Sequence, residues 1–145
     1  RMAAHGELAL AHAERLEDHG ATGCYPGLGG HPDLQLLDEL RCPDYGCGGV
    51  RTRDMETEAA ANALMSKLQN KYGFGFMAVS LGYFDTLMSC SGSSTSSELT
   101  DADKQAAGIS PGLVRLSVGY TGTVEQRWQQ LHDALEEVGR QQAAA

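Results

Sequence analysis

Residues 113 to 118 read Leu-Val-Arg-Leu-Ser-Val, and this alternation fixes how the chain has to be layered. In a strand successive side chains point to opposite faces, so Val114, Leu116 and Val118 share one side while Leu113, Arg115 and Ser117 share the other. One face needs an apolar cover. The other carries a cation at mid-strand. Further strands are expected at Phe76 to Ser80 and Thr86 to Ser89. Gly48 to Met55 adds another, in which Arg51 and Arg53 share a face that has to meet solvent or a partner. Ala21 to Tyr25 makes a short strand, broken by Pro26-Gly27 and Gly29-Gly30.

Helices supply the cover. Residues 1 to 19 read as a helix with His19 in its last turn and Gly20 as its C-terminal stop. His31 to Arg41 places Leu34, Leu37 and Leu40 along one side. Thr57 caps a helix with Glu58 in its first turn, an apolar stripe at Ala60, Ala61, Leu64 and Leu68, and Gly73 as terminator. The last helix opens on a capping box, Thr123 with Gln126, and buries Trp128, Leu131, Leu135 and Val138. Strands mixed with helices and joined by short connections predict an α/β (α+β) sandwich, a mainly antiparallel sheet with helices on one face. At 145 residues the chain suits a single domain, 1 to 145.

The bulk chemistry excludes several classes. A net charge of −8 with eleven scattered Lys and Arg argues against nucleic acid, which needs a clustered basic surface. No apolar run approaches the roughly 20 residues of a membrane span, and no signal-peptide pattern appears. The four cysteines are too few for a stapled secreted scaffold, so reduced thiols and a cytoplasmic location are the expectation. Cys42 and Cys47, with His31 nearby, lack the second ligand pair of a structural zinc site, and no metal is expected. His5, His12 and His19 recur every seven residues on one side of the first helix. Successive members stand about 10 Å apart, too far for one metal, and read as surface residues.

Three motifs then carry a resemblance. Tyr25-Pro26-Gly27-Leu28 is followed by His31-Pro32, Ser80-Leu81-Gly82 follows Ala78-Val79, and Gly108-Ile109-Ser110 leads into Leu113-Val114-Arg115-Leu116-Ser117-Val118-Gly119. Together they resemble the C-terminal domain of the pyridoxal-phosphate enzymes of cysteine and methionine metabolism, the methionine gamma-lyase branch above all, over nearly the whole chain. The resemblance implies the small domain of a fold-type-I enzyme, with residues 1 to 20 the end of a helix that links to a cofactor domain outside this chain. It also implies pyridoxal 5'-phosphate in the full-length enzyme but not in this segment. The family's Schiff-base Lys stands in a Ser-x-Thr-Lys context, and none of Lys67, Lys71 and Lys104 has it.

Without the resemblance, Arg115 reads as a solvated residue of the outer sheet face and Ser80 as an ordinary strand-end residue. By resemblance, Arg115 grips the substrate carboxylate with two parallel donors, and Ser80 lies beside it. Val79 and Leu81 then border the substrate pocket, and Val79 suits an apolar thioether where the cystathionine-handling branch favours Glu. Thr95 matches the Thr of a family Thr-His pair whose His is replaced by Ser96; as plain sequence it belongs to a polar loop.

The implied function is substrate binding in a carbon-sulfur lyase acting on sulfur amino acids. The full-length protein would be a homo-oligomer of the tetramer-of-dimers type. Alternatives are a cystathionine gamma-lyase or synthase, an O-acetylhomoserine sulfhydrylase, or a non-catalytic truncated paralogue. No residue of this segment is expected to be catalytic in itself or to bind the cofactor.

Overall fold

The computed structural model describes residues 1–20, 23–94, 96 and 98–143. Helix α1 (Met2–Asp18) is followed by α2 (Leu34–Leu40), a single 3₁₀ turn at Pro43–Tyr45, β1 (Val50–Asp54), α3 (Glu58–Asn70), β2 (Gly75–Met77), β3 (Thr86–Cys90), α4 (Asp101–Ala106), β4 (Leu113–Ser117) and α5 (Val124–Ala143). The strands form one four-stranded sheet in the order β1-β4-β3-β2. β4 pairs antiparallel with β1 and β3, and β2 joins β3 in parallel. The predicted mainly antiparallel sheet is therefore present. Of the expected Ala21 to Tyr25 strand, residues 21 and 22 lie outside the described residues, and residues 23–25 are irregular, with Thr52 N–H of β1 donating to Cys24 O at 2.9 Å.

Local chemistry explains the element ends. Thr57 Oγ1 accepts from Ala60 N–H at 3.2 Å and opens α3, and Thr123 Oγ1 accepts from Gln126 N–H at 3.2 Å ahead of α5. Gly20 ends the α1 region at φ 68°, a conformation glycine adopts freely. Two short helical pieces, α4 and the 3₁₀ turn, have too little apolar periodicity to be seen in sequence; α4 is opened by Thr100, whose Oγ1 accepts from Asp103 N–H at 3.2 Å. α2 buries none of its residues, so its Leu34, Leu37 and Leu40 spacing marks no core face.

The core lies between the sheet and α1, α3 and α5. Val114, Leu116, Val118, Met88 and Cys90 face Ala61, Leu64 and Leu68 of α3 and Leu131, Ala134 and Val138 of α5. Trp128 and Leu135, expected inside, are only partly buried against this cluster. Glu137 links α5 to α3 and the turn after it, accepting from Lys67 Nζ at 2.9 Å, Lys71 Nζ at 2.6 Å and Tyr72 Oη at 2.9 Å.

Two expectations are corrected under α1. His5 and His12 are not surface residues: they are 2% and 1% exposed, and only His19 of the three is exposed. The seven-residue spacing marks one side of the helix, and that side turns inward. Arg51 likewise does not meet solvent. It pairs in register with core-facing Leu116, is 3% exposed, and its Nε and Nη1 have no hydrogen-bond partner among the described residues. Burial first, and then the neighbouring Arg53 charge, pulls its pKa down to about 10.

His12 feels the same environment. Burial, followed by the charges of Arg51, Arg15 and Arg127, lowers its pKa from 6.5 to about 4. The unfolded chain then binds a proton that the folded chain refuses. Stability should climb as pH is raised from about 4 to about 6.5, by roughly 3 kcal/mol. Denaturant titrations across that range read it, and His12→Phe should flatten the slope. A separate loss belongs to Glu137, whose pKa the Lys71, Lys67 and Tyr72 contacts lower to about 2, so its contribution fades as pH falls from 4.5. Arg51→Met should raise stability by about 1 to 3 kcal/mol, because it removes a buried group with unpaired donors while keeping the volume. An unchanged denaturation midpoint in Arg51→Met would count against this account.

Candidate functional site

The parallel pairing of β2 with β3 creates the site. Parallel neighbours usually need a crossover of a dozen or more residues, but here residues 78–85 alone connect them. The segment therefore doubles back over the sheet face that the helices leave open. Ala78 N–H still pairs with Met88 O at 2.9 Å, and the chain then meets the polar side of β4. Arg115 Nη2 donates to Ser80 O at 3.3 Å, and Gly82 N–H donates to Ser117 Oγ at 3.1 Å.

The far end of the loop is clamped. Asp85 Oδ1 accepts from Thr86 N–H at 2.9 Å, from Thr121 Oγ1 at 3.0 Å and from Arg127 Nη2 at 2.8 Å. Gly119 lets the two loops close: a Cβ there would stand 2.5 Å from the Asp85 carbonyl carbon. Arg127 also donates through Nη1 to Gly73 O at 3.0 Å and Phe74 O at 3.1 Å, and through Nε to Thr121 O at 2.9 Å.

Of the residues singled out from sequence, Arg115 and Ser80 are brought together, through the Ser80 carbonyl. Val79 and Leu81 flank Ser80 and are 64% and 56% exposed. Thr95 lies outside the described residues. The loop borders a shallow groove of about 410 Å³ lined by Phe76, Ser80, Leu81, Gly82, Tyr83 and Leu87, which Arg115 reaches through Ser80. A larger hollow, about 650 Å³, opens between α4 and Ile109 to Pro111 and contains none of these residues. Its lining cation, Lys104, lies 4.0 Å from the Asp101 carboxylate, whereas no carboxylate among the described residues pairs with Arg115. The smaller groove thus adjoins a cation without a carboxylate partner among the described residues.

Sequence reasoning missed Ser89. It stands directly opposite Arg115 in the β3-β4 register, is 5% exposed, and its Oγ has no hydrogen-bond partner among the described residues. Its only signal is the pairing register, which a sequence does not display. Arg127 was missed as well, because one Arg inside an amphipathic helix looks like a solvated residue.

The model of the family described as Cys/Met metabolism PLP-dependent enzyme matches residues 1–136. The chain belongs to that family. It is 59% identical to a methionine gamma-lyase of Arabidopsis thaliana over 135 residues, 93% of this chain and 31% of that protein. An L-methionine gamma-lyase of Porphyromonas gingivalis is 35% identical over 122 residues, 82% of this chain and 29% of that protein. Among solved structures, a cystathionine gamma synthase from Xanthomonas oryzae pv. oryzae in complex with cystathionine superposes with a TM-score of 0.80 at 31% identity, covering 94% of this chain and 34% of that one. The fold is thus an α/β domain of the fold-type-I enzymes.

None of the three lysines fits the Schiff-base role of a pyridoxal phosphate site. Imine chemistry needs a desolvated, neutral amine, and each lysine instead faces a carboxylate: Lys67 and Lys71 that of Glu137, Lys104 that of Asp101. No helix among the described residues is long and apolar enough to cross a membrane.

Arg127→Met should leave Asp85 without its cation and strand the carbonyls of residues 73, 74 and 121. A loss of about 3 to 5 kcal/mol is expected from breaking such a buried pair. Hydrogen exchange should show the 78–85 loop opening before the core. Equal protection of that loop in the variant and the parent would refute the clamp.

Proposed function

We propose that this chain is the C-terminal, substrate-carboxylate-binding domain of a pyridoxal-phosphate-dependent carbon-sulfur lyase, with methionine as the preferred substrate. The overall reaction consumes methionine and water and yields methanethiol, 2-oxobutanoate and ammonia. Bond cleavage belongs to a cofactor held outside these residues, and their own task is to bind and orient. One observation carries the reading: on the open sheet face the Arg115 guanidinium is bonded to a neutral carbonyl and to no carboxylate among the described residues.

A guanidinium so placed keeps its charge available for an external anion. Its planar fork matches the two oxygens of an amino-acid carboxylate, which fixes direction as well as charge. Ser80 and Ser89 offer hydroxyls on either side of it, one on the loop and one on β3. Val79 and Leu81 present apolar surface beside the anion site, suited to a thioether rather than to a substrate with a distal ammonium. Phe76, Tyr83 and Phe84 extend that surface and are also exposed. The larger part of the protein would cover this apolar rim.

In the full-length enzyme, Arg115→Ala should lower kcat/KM for methionine by about two to three orders of magnitude with the cofactor absorbance retained. Arg115→Lys should recover only part of that, since an ammonium cannot reproduce the two-pronged contact. Near-normal turnover by Arg115→Ala would remove the assignment. Val79→Glu separates the substrate readings: it should depress methionine cleavage more than cystathionine cleavage, and equal effects would favour the cystathionine-handling alternative.

A further inference from the structure

Away from the groove, residues 23–33 fold back on themselves. Leu28 N–H donates to Tyr25 O at 3.2 Å and His31 N–H to Leu28 O at 2.9 Å, while buried Tyr25 anchors the turn by donating its hydroxyl to Gly48 O at 2.8 Å. The fold-back sets Cys24 Sγ 3.3 Å from His31 Nε2. On the opposite side of the ring, Asp33 N–H donates to Nδ1 at 3.2 Å. A ring nitrogen that accepts from an N–H carries no proton of its own. In the neutral imidazole the proton therefore sits on Nε2 and points at the sulfur.

His31 is thus a hydrogen-bond donor to Cys24 and not a base that strips its proton. This distinguishes the pair from a hydrolase Cys-His couple and suits a thiol that reacts as an exposed nucleophile. A second feature adjoins it. A cavity of about 50 Å³ is lined by Cys24 and Arg51, with Glu17 also on its wall. Arg51, on the wall of that cavity, is 3% exposed, and its Nε and Nη1 have no partner among the described residues. The space suits a water or a carboxylate end.

We propose that Cys24 is a modification site that undergoes exchange with small disulfides bearing a carboxylate. The Cys24 thiolate, having given its proton to solvent, attacks one sulfur of the reagent. A new S–S bond forms as the reagent's own S–S bond breaks. The other half leaves with the electron pair and takes up a proton from water. Cys24 is oxidised to the disulfide level and the departing half is reduced to a thiol. His31 holds the attacking sulfur, and Arg51 supplies the positive wall for the carboxylate of the captured half.

Cys42 is an internal control, exposed like Cys24 but with no ring nitrogen beside it among the described residues. The intact protein is treated with glutathione disulfide, which is anionic, or with cystamine, which is cationic, and the modified cysteines are followed by peptide mass spectrometry. With glutathione disulfide, Cys24 should be modified about tenfold faster than Cys42. The ratio of anionic to cationic reagent should be higher at Cys24 than at Cys42. His31→Ala should bring Cys24 down to the Cys42 rate. Arg51→Met should abolish the reagent preference at Cys24 while leaving the rates of both reagents at Cys42 unchanged. Equal rates at the two cysteines, an unchanged rate in His31→Ala, or the same reagent ratio at both positions would each overturn the proposal.

Discussion

One buried guanidinium, that of Arg127, holds together three stretches of chain that otherwise have little reason to meet. It is 7% exposed and bonds the turn after α3 through Gly73 and Phe74, the loop ahead of β3 through Asp85, and the loop after β4 through Thr121. Removing a guanidinium from water costs several kcal/mol, and the cost is offset only where every donor finds an acceptor and a carboxylate matches the charge. Arg127 meets both conditions with each of its three nitrogens. A lysine at the same place could serve one of these directions but not all of them.

The placement of Arg115 follows from that clamp. The 78–85 loop is fixed at Asp85, tied at its start to Met88, and spans the open sheet face between those anchors. Arg115 and Ser117 bond the loop where it crosses β4. Arg115 is therefore oriented by backbone and not by a counter-ion among the described residues. Had the sheet been wholly antiparallel at this edge, a tight hairpin would have replaced the return, and the face carrying Arg115 would have stood bare. The short parallel return is what brings a loop against the strand residue that would otherwise stand alone on that face.

Much of this was legible in the sequence, and the rest was hidden for definable reasons. Alternation in residues 113–118 identified β4 and its two faces, and the apolar stripes at Leu64 and Leu68 and at Leu131 and Val138 identified α3 and α5. Periodicity states which residues share a side, but not which side is covered. That is why His5 and His12, read as surface residues, and Arg51, expected to meet solvent or a partner, lie inward. The pairing register is equally silent in one dimension. Ser89 becomes a neighbour of Arg115 only once β3 and β4 are aligned. Arg115 and Ser80 themselves were singled out through the resemblance, because residue chemistry alone made both ordinary.

Arg51 and Arg127 are both nearly excluded from water, yet they act in opposite directions. Arg127 is saturated with acceptors. Arg51 has one long contact, Nη2 to Thr52 O at 3.5 Å, and two unpartnered nitrogens. Its charge in turn helps keep His12 neutral, since two cations under one helix would repel in a space that screens them poorly. The seam between α1 and β1 is thus the least satisfied part of the interior, whereas α3 and α5 are joined by an apolar interface and by the three donors that converge on Glu137. Local opening begins where buried polar groups gain most from water. By that criterion α1 should separate from the sheet before α3 or α5 does, and the cavity shared by Arg51 and Cys24 lies along the seam that opens.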